Sequence, residues 1–265
     1  MLIYPKKCEK CGLDYDVVLD ECPNCHQHNI DIEKQRIPQN IFWLPIPLQI
    51  GMFLLGFAFA GLLLMASIYM ACFSSIRDES LRKFVSTCFA YGTIFIVMLV
   101  IIGFNSKGIK KFLIDWKGYL WGLAFMALLF LGSYILAVIV ENIVKNPNIN
   151  QANIELYTKR YPAISIIVLG IIGPVVEECA YRMGLFSFLR RLNRIAAYVI
   201  TIIVFSLIHF SFTAENIQIE LLNLPSYLFG GLIFTIAYEM KGPMCSITAH
   251  VIYNVLNLSL IVLRK

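Results

Sequence analysis

Long stretches of apolar residues, interrupted by short polar segments, fill the chain after residue 44. Seven of them are long enough to cross the hydrocarbon core of a membrane as a helix, for which about 20 residues suffice. They cover residues 45–73, 84–104, 118–140, 163–189, 195–213, 221–239 and 243–263. The pattern predicts an all-α polytopic membrane protein, a bundle of seven transmembrane helices, or of eight if one element escapes this count.

The polar segments between these stretches divide the chain. Residues 1–30 are polar and rich in cysteine, residues 31–44 form a charged linker, and residues 45–265 form the transmembrane domain. No apolar h-region of a cleavable signal is found near the N-terminus. The polar segment 141–162 between the third and fourth stretches predicts a short interfacial helix at Ile154–Arg160.

Composition agrees with a membrane protein and excludes other classes. The 265 residues are 58% hydrophobic and 15% charged, whereas soluble domains are about 45–50% apolar and about 25% charged. The net charge of +5 is modest and the basic residues form no patch, which argues against a nucleic-acid partner. More basic residues fall on the inner segments than on the outer ones if the N-terminus is cytoplasmic.

Two CxxC pairs near the N-terminus predict a zinc ribbon. The four thiols belong to Cys8, Cys11, Cys22 and Cys25. Two such knuckles present four sulfurs to one tetrahedral Zn²⁺, which would supply folding energy that a segment of about 30 residues lacks. His26 and His28 could replace one thiolate, and a redox or disulfide hairpin pair is the alternative. Thiolates require a reducing compartment, so we expect a cytoplasmic N-terminus. We also expect that the ribbon could bind a protein partner.

Five ionisable residues lie within the predicted spans, clear of their ends: Glu177, Glu178, Arg182, His209 and His250. A charge at mid-bilayer costs about 2.5–3.5 kcal/mol, so such groups are retained when they pair with one another or have a function.

The spacing of these residues suggests different tasks. Glu178 and Arg182 are four residues apart and can form an ion pair on one helix face, whereas Glu177 points elsewhere and remains available as a proton acceptor. His250 and Asn254 are also four residues apart. Such a set can activate water with or without a divalent metal. The structural alternatives are an ion pair that only orients a helix and histidines that only make core hydrogen bonds.

Three motifs in this order carry a family resemblance. Glu177–Arg182 reads EExxxR, Phe205–His209 reads FxxxH and His250–Asn254 reads HxxxN. In order and spacing they resemble the motifs of the CPBP family of intramembrane proteases, which includes the CAAX prenyl endopeptidases. The similarity covers about residues 163–258, a protease-like core.

The resemblance implies an endopeptidase that hydrolyses a peptide bond in or near the membrane. By resemblance, Glu177 activates water, His209 and His250 hold a metal or the water, and Asn254 helps to stabilise the oxyanion. Glu178 and Arg182 would support them. A metal-dependent and a glutamate-dependent mechanism both stay open.

Two other functions compete with proteolysis. A scaffold or regulator could keep the fold without cleaving anything, and a proton-coupled transporter could use the same residue types as a relay. The absence of an inverted repeat weakens the transporter. We expect membrane lipids and a membrane-associated peptide or protein substrate as partners, and the compact chain favours a bacterial cell membrane.

Overall fold

A computed structural model describes residues 5–16, 19, 21–28, 44–57, 63–104, 106–144 and 146–264. The linker predicted at residues 31–44 lies outside these residues except for Leu44. In the described part, the chain consists of a small N-terminal β element followed by helices.

The N-terminal element is built from two similar turns. Strands β1 (Pro5–Lys7) and β2 (Asp14–Asp16) pair antiparallel around the first CxxC turn. In that turn the Gly12 N–H donates to the Cys8 carbonyl at 2.9 Å. The second turn repeats this bond, from the N–H of His26 to the carbonyl of Cys22 at 2.9 Å. The repetition explains why Gly12 and His26 both have positive φ, 73° and 54°.

Ten helices follow in the described part of the chain. They are α1 Ile46–Gly56, α2 Leu63–Cys72, α3 Glu79–Phe104, α4 Ser106–Leu113, α5 Trp116–Glu141, α6 Ile149–Arg160, α7 Pro162–Arg190, α8 Arg194–Leu207, α9 Ile217–Lys241 and α10 Pro243–Leu263. Five of them, α3, α5, α7, α9 and α10, are long and apolar enough to span a membrane, while α1 and α8 are shorter apolar helices. The prediction of an α-helical membrane protein is confirmed.

The first predicted span, residues 45–73, is not one helix. Helix α1 ends at Gly56, and Phe57 is extended with φ −73° and ψ 128°. α1 packs against α7, whereas α2 packs against α3. Gly56 is needed for the first of these contacts, because a Cβ there would lie 2.5 Å from the Cβ of Ala180. The apolar run therefore forms two helices that pack against different partners, and hydropathy alone does not predict this division.

Two further boundaries differ from the prediction. Helix α8 ends at Leu207, so the last six residues of the span predicted at 195–213 are not helical. The interfacial helix expected at Ile154–Arg160 begins earlier, at Ile149, because the Asn148 side chain caps it by accepting the Gln151 N–H at 2.9 Å.

Helix α7 lies at the centre of the bundle and departs from α-helical geometry. It contains two π-helical segments, Ile166–Ile172 and Glu178–Phe186, and every residue of the second is buried. Helices α1, α8, α9 and α10 all contact that segment. π-helical turns are rare and frequently occur at functional sites.

Close approach of α1 and α7 depends on Gly184. A Cβ at this position would lie 2.8 Å from the Phe53 nitrogen and 2.9 Å from the Gln49 carbonyl oxygen, and backbone atoms cannot move aside cheaply. We expect Gly184→Ala to destabilise the bundle by about 1–3 kcal/mol through overpacking. Gly103→Ala is the control, since nothing lies within 4 Å of its added Cβ. Equal free energies of unfolding in SDS titrations of the two variants would contradict this packing argument.

Candidate active site

The four N-terminal thiols converge as the CxxC pairs predict. Their sulfurs all lie within 4.8 Å of one another, with Cys8 and Cys25 at 3.5 Å and Cys11 and Cys22 at 3.5 Å. A tetrahedral zinc with Zn–S bonds of about 2.3 Å separates its sulfurs by about 3.8 Å, so this group fits a zinc ion after small shifts. The group consists of thiols without either neighbouring histidine, which favours a four-cysteine ligand set.

The surroundings of Cys11 support a thiolate. The backbone N–H of Leu13 and the Asn24 side chain donate to its sulfur and lower the pKa of the Cys11 thiol to about 6. A lowered thiol pKa favours metal binding, because the thiolate is the ligand.

Loss of one sulfur should abolish metal binding by the four-cysteine group. Cys22 is fully buried, and we expect Cys22→Ala to bind no zinc and to expose the N-terminal segment to proteases, because an ion held by the four sulfurs would supply the folding energy of this segment. The exposed Cys72 offers a matched control in Cys72→Ala. Elemental analysis and limited proteolysis give the readout. One zinc per chain retained in Cys22→Ala would refute the ligand assignment.

Glu178 is the polar centre of the membrane domain. Its Oε1 accepts hydrogen bonds from Arg182 Nη1 at 3.0 Å and from His250 Nδ1 at 2.9 Å. The Glu178 and Arg182 side chains are fully buried, and His250 is 5% exposed. The ion pair expected from the four-residue spacing is confirmed. The contact with His250, 72 positions away, is set by tertiary packing.

The same contact determines which nitrogen of His250 carries the proton. An ionised carboxylate only accepts hydrogen bonds, so Nδ1 must be the donor to Glu178. In a neutral ring Nε2 then holds the lone pair. That nitrogen lies 3.7 Å from Oε2 of Glu177. The arrangement resembles the carboxylate–histidine pairs that orient functional imidazoles.

The carboxylate of Glu177 has fewer hydrogen-bond partners than that of Glu178 and is more exposed. Its Oε1 accepts a hydrogen bond from the Tyr91 hydroxyl at 3.3 Å, and its Oε2 faces His250. The side chain is 11% exposed, against 0% for Glu178. One glutamate is therefore committed to Arg182 and His250, and the other borders accessible space.

Arg182 lies against two aromatic rings. Its guanidinium carbon lies 4.3 Å from the ring centre of Phe205 and 5.2 Å from that of Phe234, and Nη2 donates to the Gly231 carbonyl at 3.2 Å. Phe234 also stacks on His250, with ring centres 4.1 Å apart. These contacts compensate a cation taken out of water.

His209 lies two residues beyond the end of α8, on a turn. Its ring is stacked on Tyr227, with centres 4.7 Å apart and planes at 14°, and meets Phe205 edge to face at 5.2 Å. His209 and His250 both contact the Phe205 ring and thus border one region.

Asn254 contacts the backbone of α7. Its Nδ2 donates to the Leu169 carbonyl at 3.2 Å. The π-helical register explains why the Leu169 carbonyl needs this donor. The Gly173 N–H bonds to the Val168 carbonyl, five residues back, so the next N–H along the chain would bond to Leu169. That next residue is Pro174, which has no N–H. Asn254 therefore supplies a hydrogen bond that α7 itself does not make.

The residues expected to bind a catalytic metal are not gathered into a metal site. In the part of the chain that the structure describes, only the four cysteines bring three or more ligand atoms within 4.8 Å of one another. Glu177, His209 and His250 are suitable ligand types, but their atoms do not converge in this way. The geometry shows two facing groups, Glu177 and His250, with His209 beside them.

Several buried polar residues were missed by counting charges within predicted spans. Glu220 and Glu239 are 2% and 4% exposed and lie at the ends of α9, where the assumed boundaries excluded them. Tyr91 and Tyr227 resemble ordinary apolar positions in sequence, and no pattern marks them as partners of Glu177 and His209.

Comparison with known proteins agrees with this geometry. Residues 159–256 match the family model described as type II CAAX prenyl endopeptidase Rce1-like. This segment includes α7 to α9 and most of α10, and hence all three sequence motifs. No curated protein and no solved structure matches the chain significantly. Residues 159–256 of this helical membrane protein are thus similar to the Rce1-like domain of the CPBP family.

Proposed function

We propose that this protein is an intramembrane endopeptidase that hydrolyses a peptide bond of a membrane-associated peptide or protein, with Glu177 as the base that activates water. The observation that carries the proposal is the chain of contacts Arg182–Glu178–His250–Glu177. It fixes one imidazole nitrogen toward a second, partly accessible carboxylate inside the helical bundle. The match to an Rce1-like domain supports the same reaction class.

The proposed reaction begins with a water beside Glu177. The carboxylate accepts a proton from water as the water oxygen bonds to the scissile carbonyl carbon. The charge that develops on the carbonyl oxygen needs donors, and His209 and the second N–H of Asn254 are suited to this role. Glu177 then returns the proton to the amide nitrogen as the carbon–nitrogen bond breaks. His250 orients the water through Nε2.

We propose a glutamate-dependent mechanism, because Glu177 and His250 face each other at 3.7 Å and no third ligand from the described segments converges on them. Activity of the full-length protein after equilibration with chelators tests this choice. Retained hydrolysis supports it, and hydrolysis that is lost and then restored by a divalent cation would overturn it.

The positions of basic side chains support a cytoplasmic N-terminus. Arg191 donates to the Gln49 side chain at 3.2 Å, which places the start of α1 beside the end of α7. Phe112 of α4 lies against Gly242 at the same end of the bundle. The basic residues in these segments are Lys110, Lys111, Lys117, Arg190, Arg191, Arg194 and Lys241. Such an excess marks a cytoplasmic face, here proposed to be that of a bacterial cell membrane.

A scaffold function is the competing proposal, with the zinc ribbon as the site for a protein partner. Peptide profiling of membranes separates the two. We expect cleaved peptides in membranes that contain the wild-type protein and none in membranes that contain Glu177→Gln, with prenylated CAAX peptides in proteoliposomes as a defined probe. Identical profiles, together with full biological activity of Glu177→Gln, would favour the scaffold.

A further inference from the structure

The side chain of His209 is held by ring contacts. Its backbone lies on the turn that follows α8, where its N–H donates to the Ser206 carbonyl at 3.1 Å. Among the described residues, none hydrogen-bonds to a nitrogen of this ring, whose flat face lies on Tyr227 at 14° between planes. A stack of this kind fixes the plane of the imidazole while leaving both nitrogens, which lie in that plane, available to water or substrate.

Tyr227 is in turn held at its hydroxyl. The side-chain amides of Asn148 and Asn150 donate to this oxygen at 3.3 and 3.1 Å. Both residues lie at the start of α6, where Asn148 is also the N-cap. The ring that supports His209 is therefore tied to the first turn of a helix distant in sequence.

Glu220 ties the same two segments together a second time. Its carboxylate accepts the backbone N–H of Ile149 at 2.9 Å and that of Ser211 at 3.1 Å. Glu220 is 2% exposed and precedes Tyr227 by seven residues, so both project from one face of α9. One buried carboxylate thus joins the start of α6 to the turn that carries His209.

We propose that Tyr227 is a positioning residue for His209, held in place by residues Asn148–Asn150 at the start of α6. The inference rests on the proposed peptidase function, in which His209 acts on the reacting carbonyl. A side chain on a turn has freedom that must be removed before it can act, and misplacement by about 1 Å can cost about 100-fold in rate.

Two substitutions at Tyr227 separate the stack from the hydrogen bonds. Tyr227→Leu removes the stack, and we expect kcat per folded molecule to fall about 10-fold or more with little change in KM. Tyr227→Phe keeps the ring and should show a smaller loss. Asn150→Ala removes only one of the two amides that contact the hydroxyl, so its loss should not exceed that of Tyr227→Phe, and the double variant should lose no more than Tyr227→Phe alone. The exposed Tyr134 provides the control Tyr134→Leu. If Tyr227→Leu does not fold, Tyr227→Phe and Asn150→Ala carry the test.

A second readout does not depend on activity. Diethyl pyrocarbonate modifies accessible imidazole nitrogens, and mass spectrometry of the full-length protein in proteoliposomes reports the rate at His209. We expect this rate to change several-fold in Tyr227→Leu and to stay at the wild-type value in Tyr134→Leu. An unchanged rate, or a kcat equal to that of the control, overturns the inference. Failure of the wild-type protein to cleave any peptide would instead overturn the proposed function.

Discussion

Glu177→Gln is expected to lower the rate of peptide hydrolysis about 100- to 10,000-fold, the usual contribution of a general base. Glutamine has nearly the same shape and still accepts the hydrogen bond from Tyr91, but it cannot take a proton from water. The change also removes no contact that holds the bundle together, because the ion pair with Arg182 belongs to Glu178. We therefore expect a folded protein without activity.

Rates of cleavage by purified protein in proteoliposomes, compared at equal amounts of folded protein, give the measurement. Glu141→Gln is a matched control. This glutamate is exposed at the end of α5, and its substitution removes the same negative charge. Hydrolysis by Glu177→Gln within a few-fold of the control would show that another group activates the water.

Arg182→Met is expected to have the largest effect on stability, about 3–5 kcal/mol, because it leaves the Glu178 carboxylate buried without its cation. The methionine can still pack against Phe205 and Phe234. Most of the loss should come from the unpaired charge and not from packing. The free energy of unfolding measured by SDS titration, together with the thermal midpoint, checks this expectation.

A double variant distinguishes the two sources of the loss. Glu178→Gln combined with Arg182→Met removes both charges, and we expect it to be more stable than Arg182→Met alone. Arg160→Met serves as the surface control: its ion pair with Asp78 spans 2.6 Å but is 45% and 38% exposed, so the loss of stability should be small beside that of Arg182→Met. Equal losses in Arg182→Met and Arg160→Met would rule out a buried charge as the cause.

Local spacing predicted the contacts that lie within one helix or one turn. The four-residue separation of Glu178 and Arg182 suffices for their ion pair, because an α-helical or slightly wider turn brings both side chains to one face. The two CxxC turns likewise bring sulfurs within reach of one ion. The roles of Glu177, His209 and Asn254 in hydrolysis remain proposals.

Contacts between helices could not be obtained in this way. By resemblance Asn254 was expected to help stabilise the oxyanion, and the sequence did not predict that its side chain also donates to Leu169, whose need for a donor arises from a π-helical register and Pro174. The end of α8 at Leu207 likewise places His209 on a turn, where Tyr227 and Glu220 stabilise its surroundings. Each depends on the backbone geometry of a second helix.

The sequence by itself determined the membrane-spanning nature of the chain, its two CxxC turns and the order of its three motifs, since hydropathy and short spacings are local properties. Only the tertiary structure decided which glutamate is committed to an ion pair and which one borders accessible space. It also decided that α1 ends where Gly56 meets Ala180. Burial, hydrogen-bond partners and close helix approach are properties of surfaces in contact, and those surfaces exist only once the helices have packed.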